Sequence, residues 1–149
     1  GDPQNAFNKA ITHSSQSAMS LSDLFCVERH KKYFLDLVKN KLNITFANEQ
    51  EAIALIEAKD LKEVIEFAKK TNKLIVITRG ENGAIAIQND KVVECSVEKN
   101  LQVRDLTGAG DLFAAGFLHG YVNKLPLNES LKKGTELSSK IIQQIGARL

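Results

Sequence analysis

Cysteine is scarce in this sequence: Cys26 and Cys95 are the only two in 149 residues, far apart and without a Cys-x-x-Cys spacing. That speaks against a disulfide-built fold or a cysteine zinc site, and predicts a reduced, cytoplasmic setting with two small buried thiols. Histidine is nearly as sparse, and His13, His30 and His119 fall at no metal-ligand spacing, so they read as surface or packing residues. A net charge of +2 is too small to argue for nucleic-acid or membrane partners. No apolar run is long enough to span a bilayer, and no signal-peptide pattern opens the chain. Internal repeats and low-complexity linkers are absent. An initiator Met is also missing, and a chain that opens on Gly1-Asp2-Pro3 reads as a processed product or a piece of something longer. What remains is ordinary for a globular domain, with 43% hydrophobic and 26% charged residues and a length suited to one domain, 1–149.

The pattern of the chain alternates helices and strands. Asp2 as N-cap and Pro3 as first helical residue predict a helix to about Thr12. A short, weak strand follows over 17–21, and an amphipathic helix over 26–38 is read from the spacing of Val27, Phe34, Leu37 and Val38. Its run Arg29-His30-Lys31-Lys32 is a solvated face rather than a binding patch, because Glu28 and Asp36 interrupt it. A buried strand over 43–47 leads into a helix opening at Asn48, and another helix spans 61–70. The β-branched run 74–78 predicts a strand buried on both faces, followed by a turn over 78–83 in which Arg79 is expected to face solvent. Residues 84–88 and 91–95 read as a hairpin across Asn89-Asp90. Pro126 separates a helix ending near Asn123 from a last helix over 128–144, which closes at Gly146. The fold class is α/β: a sandwich around a mostly parallel sheet with an antiparallel hairpin at one side.

Function converges on Asp105-Leu106-Thr107-Gly108-Ala109-Gly110-Asp111, followed by an apolar run at helical spacing. A helix that begins near Ala109 or Gly110 presents its first N–H groups, with the positive end of its dipole, as an anion hole. Asp111 in the first turn then places a carboxylate beside the bound anion, as phosphoryl transfer to a hydroxyl requires. The plainer alternative is a glycine-rich turn with an acidic residue favouring a helix start. Two other glycine loops are excluded: a dinucleotide fingerprint needs glycine where Phe113 stands, and no Gly-Lys-Ser/Thr triplet exists for a P-loop. Asn48 and Glu51 similarly admit a structural reading, as a capping box at a helix start.

The motif Asp105-x-Thr107-Gly108-Ala109-Gly110-Asp111 closely resembles the C-terminal signature of the ribokinase-type carbohydrate and nucleoside kinases, the PfkB family. Leu106 departs from it, where the family usually carries a small hydroxyl residue or Pro. Ser20 through His30 resembles the adenosine-kinase-like branch. The resemblance implies a three-layer α/β/α ribokinase-like fold, truncated at the N-terminus, of which residues 1–149 are the C-terminal nucleotide-binding part. It implies ATP and Mg2+ as cofactors, Asp111 as catalytic base, and Gly108, Ala109 and Gly110 as the anion hole. Asn48-x-x-Glu51 matches the family's Asn-x-x-Glu motif, implying that both residues organise the magnesium–nucleotide complex, largely through water. Thr78 and Gly80 are implied to touch the nucleotide phosphates. Thr135 stands where the family often places Asn or His beside the adenine. Asp105 and Thr107 align with a monovalent-cation (K+) site. The family's sugar-gripping Asp, lid and glycine-rich substrate motif are not found in the chain. Two functions stay open: part of a kinase acting on a small-molecule sugar or nucleoside, adenosine-like by preference and inactive as this chain alone, or a stand-alone nucleotide-binding or partner-docking module. A bare sheet edge also predicts self-association as a homodimer.

Overall fold

The computed structural model of the chain describes residues 2–148; the two ends of the expected 1–149 domain, Gly1 and Leu149, lie outside the described residues. Five strands form one sheet in chain order, β1 (Ala18–Ser20), β2 (Ile44–Asn48), β3 (Leu74–Thr78), β4 (Ala84–Gln88) and β5 (Lys91–Cys95). β1 pairs with β2 in parallel, with Met19 opposite Thr45. The two-residue link Asn89-Asp90 leaves β4 and β5 antiparallel, since a parallel pair needs a long crossover. The sheet is therefore mixed, with helices on both sides, as the alternating pattern predicts. The chain clusters into two compact units, one reaching from the N-terminus to Val76 with Ile87–Lys91, the other built from Ile77–Ala86 and Val92 onward.

In the first unit, Asp2 caps α1 (Pro3–Thr12) by accepting from the Asn5 N–H at 3.1 Å. α2 (Leu24–Asp36) begins two residues before the expected start because Asp23 takes the cap, accepting from the Cys26 N–H at 2.7 Å. Val27, Phe34, Leu37 and Val38 are buried, as their spacing predicts. The helix kinks at His30 and ends in a π-helical turn over Leu37–Lys41, closed by the Leu42 N–H on the Leu37 carbonyl at 2.8 Å. Of the cationic run, Lys31 pairs with Glu57 at 2.9 Å and Arg29 stacks on the Phe25 ring at 4.3 Å. α3 (Glu49–Ile56) and α4 (Leu61–Lys70) follow. Asp60 caps α4 through the Lys62 and Glu63 amides, and Val64 and Ala68 form its buried face.

The second unit is dominated by the pair α5 (Ala109–Val122) and α6 (Leu127–Ile141). Glycines let their backbones meet: a Cβ at Gly116 would stand 2.5 Å from the Lys133 carbonyl oxygen, and one at Gly134 2.8 Å from that of Phe113. Phe117, Leu131 and Ile141 are fully buried in this unit. α6 stops at Ile141 rather than running to Gln144, because the Ser139 carbonyl takes the Gln143 side-chain amide at 2.9 Å and the Gln143 and Gln144 backbone amides fall to the i−3 carbonyls of Lys140 and Ile141. Both cysteines are free, but neither is buried as expected: each is half-exposed.

Because no side chain fits between α5 and α6 at their closest approach, Gly116→Ala is expected to cost about 1–3 kcal/mol by overpacking. Thermal denaturation checks this, and an unchanged midpoint would mean that the helices separate freely.

Candidate functional site

The start of α5 is built as the anion hole requires. Gly108 is the N-cap, with φ +79°, a left-handed conformation, and a Cβ there would also lie 2.9 Å from the Ala147 Cβ. Glycine is thus needed twice over, by the turn and by the close approach. The Ala109 amide bonds the Leu106 carbonyl at 3.2 Å and the Leu112 amide bonds Gly108 at 2.9 Å. Between them, the amides of Gly110 and Asp111 find no acceptor among the described residues. A Cβ at Gly110 would meet nothing within 4 Å, so open space lies over this turn. Asp111 is exposed, and its carboxylate has no hydrogen-bond partner among the described residues. Two outward N–H groups at the positive end of a 14-residue helix, beside a free carboxylate, suit an anionic group undergoing proton-coupled transfer.

Asp105 holds this loop in place. Its Oδ1 accepts from the Thr107 amide at 2.9 Å and hydroxyl at 2.7 Å, and its Oδ2 accepts from the Gly146 amide at 3.0 Å. The Gly146 bond, then those of Thr107, hold the carboxyl below its ordinary value. The clasp to Gly146 joins the signature loop to the segment after α6, and sequence reasoning did not supply it. Only its local half had a signal: Asp-x-Thr is an Asx-turn pattern.

Thr78 ends β3, and Gly80 opens a single 3-10 turn with φ +56° and nothing within 4 Å of a Cβ. Arg79 between them does not face solvent as expected. Its side chain is only 15% exposed and pairs with Glu94 at 3.1 Å, an acceptor on β5 far along the sequence. Thr135 is buried on α6; its hydroxyl donates to the Lys132 carbonyl at 2.9 Å and lies 3.6 Å from the Cys95 sulfur.

In the first unit, Asn48 and Glu51 form the complete capping box. The Asn48 Oδ1 accepts from the Glu51 amide at 2.8 Å, and Glu51 Oε2 accepts from the Asn48 amide at 2.9 Å. A third bond, from Asn48 Nδ2 to Glu51 Oε1 at 2.8 Å, joins the side chains. Glu51 is only 5% exposed, and burial, with a smaller push from Asp23, raises its pKa against the opposing Asn48 bond. A buried carboxylate with one bond to each oxygen retains lone pairs for the water shell of a hard cation, and magnesium keeps several waters when bound. The donor set therefore fits an outer-sphere role for Asn48 and Glu51. Asp105 also fits a cation, because its three hydrogen bonds leave room for one more contact. The structure groups Asp105, Thr107 and Gly108–Asp111 in one clasped loop, Thr78 with Gly80 in one turn, and Asn48 with Glu51 in one box.

Against known proteins, residues 3–149 match the family described as pfkB family carbohydrate kinase. The chain is 33% identical over 111 residues to a cytidine kinase of Thermococcus kodakarensis, covering 73% of this chain and 40% of that protein. The solved adenosine kinase from Sinorhizobium meliloti superposes with a TM-score of 0.90 at 39% identity, over 98% of this chain and 45% of that one. A fructokinase from Vibrio cholerae shares the fold, with a TM-score of 0.84 at 18% identity over 96% of this chain and 51% of its own. The chain thus spans about half, or less, of the length of the proteins it matches.

The two acidic groups have opposite linkage to pH. Asp105, with a lowered pKa, contributes stability that is complete above its ordinary 3.8 and is lost as pH falls through the lowered value. Glu51, with a raised pKa, weighs against the folded state as pH climbs past its ordinary 4.5 and the buried group must ionise. Carboxyl NMR titration is expected to find Asp105 below 3.8 and Glu51 above 4.5; the reverse order would overturn both assignments.

Proposed function

Because the chain belongs to the pfkB family of carbohydrate kinases, we propose that it is the C-terminal, nucleotide-binding part of an ATP-dependent kinase that phosphorylates a hydroxymethyl group of a sugar or nucleoside. The observation that carries this reading is the first turn of α5, where the Gly110 and Asp111 amides and the Asp111 carboxylate stand together without partners among the described residues. Gly108 to Gly110 hold the anionic charge of the transferring group, and Asp111 takes the proton from the acceptor hydroxyl. Thr78 and Gly80 contact the nucleotide phosphates, while Thr135, its hydroxyl held by its own helix, offers the nucleotide a buried wall rather than a donor. Bound magnesium neutralises phosphate charge; Asn48 and Glu51 orient its water shell, and Asp105 and Thr107 hold a monovalent cation while they clasp the loop.

An adenosine-like acceptor is favoured by the likeness to an adenosine kinase at 39% identity and by the Ser20–His30 stretch. The acceptor-gripping residues are not among those found here, so this chain alone is an ATP binder without turnover. A stand-alone, non-catalytic nucleotide-binding or partner-docking module is the second reading. No helix is long and apolar enough to cross a membrane among the described residues. We place the protein in the cytoplasm and assign any self-association to β1, the terminal strand of the sheet.

Calorimetry is expected to show weak, magnesium-assisted ATP binding by the chain, and Gly110→Ala to weaken it without unfolding the protein. No heat at millimolar ATP, with a native circular-dichroism spectrum, would defeat the preformed site. Phosphorylation of adenosine, ribose or fructose, followed by ADP release, is expected to be undetectable. In a full-length kinase carrying this segment, Asp111→Asn is expected to lower turnover at least ~10²-fold with ATP affinity little changed. Near-normal turnover of that variant would reduce Asp111 to a helix-start residue.

A further inference from the structure

The turn after β3 is fixed at two neighbouring positions of β5. At one, Gly83, with φ +82°, packs against the Cys95 carbonyl so closely that a Cβ would overlap it. At the other, Arg79 Nη2 donates both to the Asn82 carbonyl at 2.9 Å, inside the turn, and to Glu94 Oε2 at 3.1 Å, on the strand. The backbone closes the same loop, with the Arg79 amide on the Gly83 carbonyl at 2.7 Å and the Gly83 amide on Gly80 at 3.1 Å. Apart from the Gly83 amide on its carbonyl, Gly80 faces open space where a Cβ would stand. Its place is therefore set by Arg79 on one side and Gly83 on the other.

This is a poor device for stability. Glu94 is 62% exposed, so the pair is screened by water, while Arg79 Nε is buried with no acceptor among the described residues. An apolar side chain would fill the same space without that cost, and ion pairs of this kind are best attested as devices that select one geometry. We propose that Arg79, held by Glu94, is a positioning residue for nucleotide phosphates: it fixes the Thr78–Gly80 turn at the angle from which its backbone meets them. The proposal rests on the assignment of Thr78 and Gly80 to the nucleotide. The end of β5 has a second hold on the same unit, since the Cys95 sulfur lies against the Thr135 hydroxyl. One strand end thus registers the turn and the α6 face together.

Glu94→Ala is the cleanest test, because an exposed side chain can be removed without opening a cavity. Magnesium–ATP binding by calorimetry and the thermal midpoint are measured for the wild type, Glu94→Ala, Arg79→Ala and the double variant. The expected result is about a tenfold loss of affinity in Glu94→Ala at an unchanged midpoint, with the double variant no weaker than Arg79→Ala. Wild-type binding retained in full by Glu94→Ala overturns the positioning role and leaves the nucleotide assignment standing. Additive losses in the double variant, or affinity falling in step with the midpoint, also overturn it, because either marks a general loosening. A folded wild type that binds no nucleotide removes the nucleotide assignment, and the positioning role with it.

Discussion

One carboxylate holds the second unit's signature loop together. Asp105 receives the Thr107 amide, the Thr107 hydroxyl and the Gly146 amide, so a single side chain fixes both the entry to α5 and the exit from α6. The left-handed Gly108 follows from this placement: the chain must reverse within three residues of Asp105 to start a helix with its amides outward. The segment after α6 is tied to the same stretch by its backbone, since the Ile142 carbonyl accepts the Arg104 and Asp105 amides. An unsatisfied helix start is a cost to the fold, and it persists here because the loop before it is held from behind.

The capping box in the first unit is more elaborate than a helix start requires. Asn48 and Glu51 satisfy each other's backbone amides, which is all a helix start needs. The additional side-chain bond and the burial of Glu51 go further than capping demands. A surface glutamate caps a helix equally well without a raised pKa. Burial keeps the carboxylate in one orientation, a property useful for ordering water around a cation and of no use to the helix.

Much of this was legible in the sequence, and each miss has a physical reason or falls between classes. α4 was readable from the apolar face of Leu61, Val64, Ile65 and Ala68, and the Asp60 cap found in the structure agrees with that start. The hairpin and the starts of α3 and α5 were legible for the same reason: local chemistry decided them. Arg79 was misread because its acceptor, Glu94, lies beyond the hairpin and no local signal marks it. The end of α6 was misplaced because the Gln143 side chain takes the Ser139 carbonyl and the last amides tighten to i−3 bonds, which the spacing of apolar residues does not show. The cysteines fell between the classes, half-exposed where small apolar packing was expected. The family motif was written in seven consecutive residues, 105–111; the clasp that shapes its loop was split between positions 105 and 146.

The glycine contact between α5 and α6 has a thermal consequence. Where backbones touch at Gly116 and Gly134, attraction comes from close dispersion contact rather than from large apolar side chains leaving water. Hydrophobic burial weakens as water cools, whereas dispersion between packed atoms does not depend on the solvent in that way. The backbone contact at these two glycines should therefore weaken less on cooling than the burial of Phe117, Leu131 and Ile141 around it. Cold would loosen the side chains of this helix pair before it parts their backbones.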